Sequence, residues 1–141
     1  MEFVVFERDG RVVEIPKELA EKVKFNKDAL HDVVFKGPNG LHSALTRYSE
    51  TLDVSILNSI AYAVLSVMVV AATHLADEPV GVLCTMITAL PVDKAFGIVR
   101  NFIDNVLSVS GTDGVYYALY VVVDDIANKC HVKGRGVVSL N

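Results

Sequence analysis

From Val54 to Ala76 the chain runs twenty-three residues without an Asp, Glu, Lys or Arg. As one helix this segment would be roughly 35 Å long and would have no charged face to turn to water. Asp53 is placed to cap its start, and Asp77-Glu78-Pro79 closes it. A second uncharged run, Val80–Leu90, is too short to span a bilayer and suits a buried helix or strand ending at Pro91. Beyond it, Val92, Phe96, Val99, Phe102, Ile103, Val106 and Leu107 recur at intervals of three and four, with Asp93, Lys94, Arg100, Asn101, Asp104 and Asn105 opposite, which predicts an amphipathic helix. Ser110-Gly111-Thr112-Asp113-Gly114 reads as a turn. Val115–Lys129 fits a helix through Val115, Leu119, Val122 and Ile126, although residues 115–123 also fit a buried strand; the helix is favoured.

The N-terminal third is patterned differently. Two short β-branched and aromatic runs, Glu2–Glu7 and Arg11–Ile15, flank Asp9-Gly10, which predicts a hairpin or, failing that, an extended arm that orders in an assembly. Pro16 opens a helix over Lys17–Lys24, and Asn26 can cap a further segment, Lys27–Lys36. Gly37-Pro38-Asn39-Gly40 then breaks the chain before a short helix, Leu41–Glu50. The expected fold is therefore mainly α. A charged hairpin or arm region occupies residues 1–50, and an apolar bundle of about four helices occupies 51–141.

Composition sharpens this division. Hydrophobic residues make up 52% and charged residues 21%, an apolar excess that points to burial between subunits. The formal charge is −4, so there is no global attraction for nucleic acid and any phosphate contact must come from a local stripe. Residues 1–50 carry eight Lys/Arg against nine Asp/Glu, and residues 51–141 carry five against eight. Cys84 and Cys130 lack the spacing of a zinc or redox motif and read as buried free thiols. No secretory signal opens the chain, so an intracellular setting, virion or host cytoplasm, is expected.

Few residues suggest chemistry. His74, Asp77 and Glu78 form one loose cluster and Asp124, Asp125 and His131 another, but neither has a zinc or calcium spacing, and no nucleophile or nucleotide motif is present. No catalytic residue, metal, cofactor or small-molecule substrate is therefore assigned. If residues 17–36 formed one helix, Lys17, Lys24, Lys27 and His31 would share one edge, next to a stripe of Glu18, Glu21, Asp28 and Asp32. Arg8, Arg11, Lys36 and Arg47 could add phosphate contacts, while pairs such as Lys17 and Glu21 could equally make this an ordinary solvated face. In the uncharged run Ser55, Ser59, Tyr62, Ser66 and Thr73 line one stripe, suited to close approach of another helix and hence to self-association. A membrane span is possible but not favoured: no Lys/Arg cluster flanks the run, and the chain has no Trp.

Two resemblances bear on function. Gly10-Arg11-Val12-Val13 and Ile15-Pro16-Lys17-Glu18-Leu19 resemble the core of AbrB/MazE-type swapped-hairpin DNA-binding modules, with Glu14 as one extra residue between the halves. That likeness implies a dimeric transcriptional regulator with phosphate contacts at Arg8 and Arg11. The whole architecture, a charged arm over positions 17–50 followed by an apolar bundle, resembles the major coat proteins of filamentous viruses of hyperthermophilic archaea. That likeness implies arms wrapped on double-stranded DNA, bundles packed into a helical shell, and a related, more basic sister subunit as partner. The expected function is thus a non-enzymatic, self-assembling coat or nucleoprotein subunit. The regulator and a small membrane-associated protein are the alternatives.

Overall fold

A computed structural model of the protein describes residues 3–8, 11–74 and 77–130. Strands β1 (Phe3–Arg8) and β2 (Arg11–Pro16) are followed by helices α1 (Lys17–Lys22), α2 (Lys27–Lys36), α3 (Pro38–Thr51), α4 (Val54–His74), α5 (Pro79–Thr88) and α6 (Val92–Cys130). The fold is mainly helical, a bundle carrying one antiparallel hairpin whose pairing runs from Phe3 opposite Pro16 to Arg8 opposite Arg11. Glu14 sits within that ladder opposite Val5, so the ladder runs through it without a bulge.

The bundle is arranged around α4, which packs against α2, α3, α5 and α6. Residues 56–65 are buried without interruption. A helix covered on consecutive positions is covered on every side, and here the cover comes from the same chain: Leu30 and Val33 of α2, Leu41 and Leu45 of α3, and Phe96, Val99 and Ile103 of α6 belong to the same core. This corrects the expectation that neighbouring subunits shelter the uncharged helix, at least as far as Val67. Among the described residues no helix is long and apolar enough to cross a membrane.

It also moves the boundary expected near residue 50. Leu19 of α1, Ala29, Leu30, Val33 and Val34 of α2 and Leu41, Ala44, Leu45 and Tyr48 of α3 are buried residues of the same core, so the core reaches back to α1. Nor do α1 and α2 form one helix. Asn26 caps α2 by accepting from the Ala29 N–H at 3.1 Å, and its own N–H reaches Ser59 Oγ at 2.9 Å and the Ser55 carbonyl at 3.1 Å. Ser59 Oγ lies 2.9 Å from the Asn26 carbonyl and 2.8 Å from that of Ser55, and Asn58 Nδ2 donates to the Lys24 carbonyl at 3.0 Å. Two polar side chains on α4 and the Ser55 carbonyl thus hold the linker in a non-helical path, and its backbone groups find there the partners a helix would otherwise supply.

The expected break at Gly37–Gly40 is shorter than four residues. Gly37 alone has a left-handed φ of 64°, and Pro38 opens α3, where its missing N–H is no loss. Gly40 lies inside the helix at its closest approach to α2. Asp53 caps α4 as expected, its Oδ1 accepting from the Ser55 N–H at 2.9 Å and the Ser55 hydroxyl at 2.7 Å. Those two bonds, the hydroxyl's first, hold its carboxyl below the usual range. Val80–Leu90 is helical over α5. The expected turn at Ser110–Gly114 is a single joint within α6, Gly111 at φ 69° and ψ −174°, after which the backbone is helical through 130 and Val115 and Leu119 return to the core. The tail beyond residue 130 and Cys130's side chain lie outside the described residues, whereas Cys84 is fully buried.

A Cβ at Gly40 would stand 1.6 Å from the Asp32 carbonyl oxygen, a backbone atom that cannot swing aside. Gly40→Ala is therefore expected to force α2 and α3 apart and to lower stability by about 3 kcal/mol. Urea unfolding should show this as a reduced midpoint at unchanged slope.

Candidate nucleic-acid interface

The basic residues singled out from the sequence fall into three groups. Lys17, Lys24 and Lys27 are exposed, on α1, the linker and α2 respectively, and exposed Glu18, Glu21 and Asp28 accompany them. Because residues 23–26 separate the two helices, the continuous basic edge expected over residues 17–36 does not form. The three lysines stand along a bent path with carboxylates among them.

Lys36 and Arg47 are brought together by the α2–α3 hairpin. Both converge on Asp32: Lys36 Nζ lies 3.0 Å from Oδ1, and Arg47 Nη2 donates to Oδ2 at 2.7 Å. Asp32's side chain is only 17% exposed and the lysine's is 59% exposed, so one carboxylate anchors two cations that reach past it toward solvent. A second, nucleic-acid phosphate could approach the outer side of this pair, but it would meet a net charge of +1 rather than +2. Arg47 Nε is buried and makes no hydrogen bond among the described residues, leaving that donor uncompensated.

Arg8 and Arg11 form the last backbone pair before the hairpin turn; their side chains lie outside the described residues. The ladder therefore brings these two positions together, but the structure does not join them to the α2–α3 cations. Sequence reasoning placed Asp32 on an acidic stripe but missed its central position. The spacing of Asp32 and Lys36 is the i,i+4 signal for their pair, whereas Arg47 can be added only by folding.

The stripe assigned to self-association faces inward where its side chains are described. Ser59 and Tyr62 are buried inside the chain, Ser59 in the Asn26 clamp and Tyr62 between Phe25 and Phe96 at ring distances of 5.5 and 5.1 Å. Ser66 Oγ donates to the Tyr62 carbonyl and Ser55 bonds Asp53, so both hydroxyls serve their own helix. Thr73's side chain lies outside the described residues. The small residues allow close approach, as their spacing suggested, but the neighbours of Ser59 and Tyr62 are this chain's own segments.

Other polar contacts are structural ties. Tyr48 donates to Asp104 Oδ1 at 2.8 Å, joining α3 to α6, and His42 stacks edge-on with Tyr116 at 4.8 Å. Burial first, and then the bond and negative charge of Asp104, push the Tyr48 hydroxyl above its usual pKa, with Arg100 opposing. Burial alone raises Tyr62 further, and its hydroxyl has no partner among the described residues. Of the loose acidic clusters, Asp77 and Glu78 are exposed, while the side chains of His74, Asp124 and Asp125, and all of His131, lie outside the described residues. No group of three metal-ligating side chains occurs among the described residues. Compared with family models, curated proteins and solved structures, the chain finds no match.

Asp32→Asn should have two effects of opposite sign. Loss of the charged anchor is expected to reduce stability by about 1 kcal/mol. Release of the two cations is expected to tighten binding to duplex DNA and to steepen its logarithmic salt dependence by about one. Tighter binding without the steeper slope would exclude these cations from the interface.

Tyr62→Phe removes a buried hydroxyl that has no hydrogen-bond partner among the described residues, so stability should rise by about 1 kcal/mol near neutral pH. Both tyrosines favour the protonated form in the folded state. Their contribution is complete below the unfolded value of 10.0 and is lost as pH climbs toward their folded values. Alkaline unfolding of Tyr62→Phe should accordingly set in at higher pH than that of the unaltered protein.

Proposed function

We propose that the protein is a non-enzymatic, self-assembling structural subunit that packages double-stranded DNA, as in a virion coat or nucleoprotein. The observation that carries this reading is apolar surface left over after the core is complete. With α4 enclosed as far as Val67 by its own chain, Val82, Leu83 and Met86 of α5 and Ile98, Phe102 and Val109 of α6 remain substantially exposed. A closed bundle has no internal use for them, and burial between subunits would recover their transfer free energy.

DNA contact, in this reading, is made by backbone charge alone. Lys17, Lys24 and Lys27, with the Lys36–Arg47 pair and the arginine positions beside the hairpin turn, would offset phosphate charge without reading bases. The interspersed carboxylates and the formal charge of −4 limit what one chain can neutralise. A related, more basic sister subunit would supply the remaining charge.

The hairpin favours a second reading, a swapped-hairpin regulator, because Arg8 and Arg11 pair at the ladder's end. The bundle limits it: a module ending near residue 36 would strip Leu30, Val33 and Val34 from the core that α3 and α4 complete. A module ending with α1 would still take Leu19 out of that core.

Electron microscopy of detergent-free protein with and without duplex DNA tests the proposal. Ordered filaments that require DNA are expected, together with a binding constant whose logarithm falls with that of salt at a slope of about −5 when all six of these net positive charges, the Lys36–Arg47–Asp32 group counting as one, meet phosphate. A monodisperse monomer indifferent to DNA would exclude packaging, and a dimer selecting one sequence would favour the regulator.

A further inference from the structure

The bend in α6 has no loop. The chain is helical on both sides of Gly111, so the torsions of one residue, φ 69° and ψ −174°, separate two helices that would otherwise run as one of 39 residues and about 58 Å. That combination of angles is essentially glycine's alone. Space is not the reason for the glycine, because a Cβ at Gly111 would meet nothing within 4 Å. Gly114 repeats the requirement in another form. In the bent chain a Cβ there would run into Ser110 Cβ, an atom fixed to its own backbone, whereas Cβ atoms four residues apart on a straight helix stand about 5–6 Å from each other. Both glycines are therefore needed by the bend and neither by a straight helix, which alanine favours over glycine roughly fivefold at each position.

The two halves of α6 are held unequally. Before the joint, Ala95, Phe96, Val99 and Ile103 are buried and Tyr48 ties Asp104 to α3. After it, Val115 and Leu119 are the buried residues among the described side chains, and Tyr116 stacks on His42. Ser108, Val109, Ser110, Gly111 and Asp113 are exposed, so most of the joint stands in solvent.

We infer that Gly111 is a hinge for segment exchange between copies of this chain: straightened, α6 carries Val115 and Leu119 out of its own bundle and into the seat that the same segment has left in a second copy. Identity of contact selects the partner. The vacated seat lies in the bundle core with His42 of α3 at its edge, and the same residues of another chain refill it with the same burial and the same ring contact. Because the core contacts cancel, the balance between closed and exchanged forms rests on the joint and on chain concentration. Reciprocal exchange closes a dimer, while one-way exchange leaves a free segment and a free seat and so propagates. The inference rests on the self-assembly part of the proposed function and supplies it with a link that needs no DNA.

Sedimentation across a concentration series, using the full chain without DNA, tests this together with a cross-link. In a Cys130→Ser background, with Cys84 buried, His42→Cys and Tyr116→Cys place one thiol on the seat and one on the segment, within reach of a short bis-maleimide. Gly111→Ala and Gly114→Ala are each expected to keep the helical circular dichroism of the parent and to strengthen association roughly tenfold or more. Each should also convert the cross-link from within one chain to between two, as a denaturing gel would show. Three results would overturn the exchange: both variants helical yet monomeric to millimolar concentration, association whose cross-links stay within one chain, or loss of helix in both variants at a concentration where exchange would have restored the core. If the cross-links stay within chains while the unaltered protein forms filaments on DNA, exchange is wrong and packaging stands. Cross-links between chains with no binding to DNA leave exchange standing and remove packaging.

Discussion

A helix without a charged face has no side that water accepts, and the arrangement of this molecule follows from finding cover for one. Over residues 56–65 α4 is buried at every position. Covering a cylinder on all sides takes at least three or four neighbours, and α2, α3, α5 and α6 provide them. Such a helix must still satisfy its few polar side chains. Ser59 does so by holding the Asn26 backbone, and Asn58 does so in part, its Nδ2 holding the Lys24 carbonyl while its buried Oδ1 has no partner among the described residues, which makes both residues part of the core and the attachment of the N-terminal region.

The elements were largely legible from the chain because their signals are local. Asn26 and Asp53 announce their caps by residue type and position, and both use the expected side-chain oxygens. Gly111 marks the joint in α6, and the helical spacing of Val115 and Leu119 marks their return to the core. What could not be read was which chain covers which face. The residues 55, 59, 62 and 66 describe a surface permitting close approach but do not say whether the approaching segment is near or far in sequence. Likewise, Phe102 fits the period of the buried face, yet it stands at that face's border and remains half exposed, because α6 is covered from one direction only.

The candidate site shows the same limit in electrostatic form. Lys36 and Arg47 were recognisable as cations, but the field they present depends on Asp32, which reaches one by helical spacing and the other only across the α2–α3 hairpin. Counting basic residues along the chain overstates the charge available to a phosphate whenever folding places a carboxylate between them. Here the effect falls on Lys36 and Arg47, which share one carboxylate.

Gly40 gives that hairpin a further property. Its lack of a side chain lets the backbone of α3 rest directly on the carbonyl of Asp32, so the two helices meet without an intervening layer of adjustable atoms. Side chains can change rotamer and absorb a displacement, whereas touching backbones cannot. At this point a displacement of one helix against the other meets backbone instead of being absorbed by a change of rotamer.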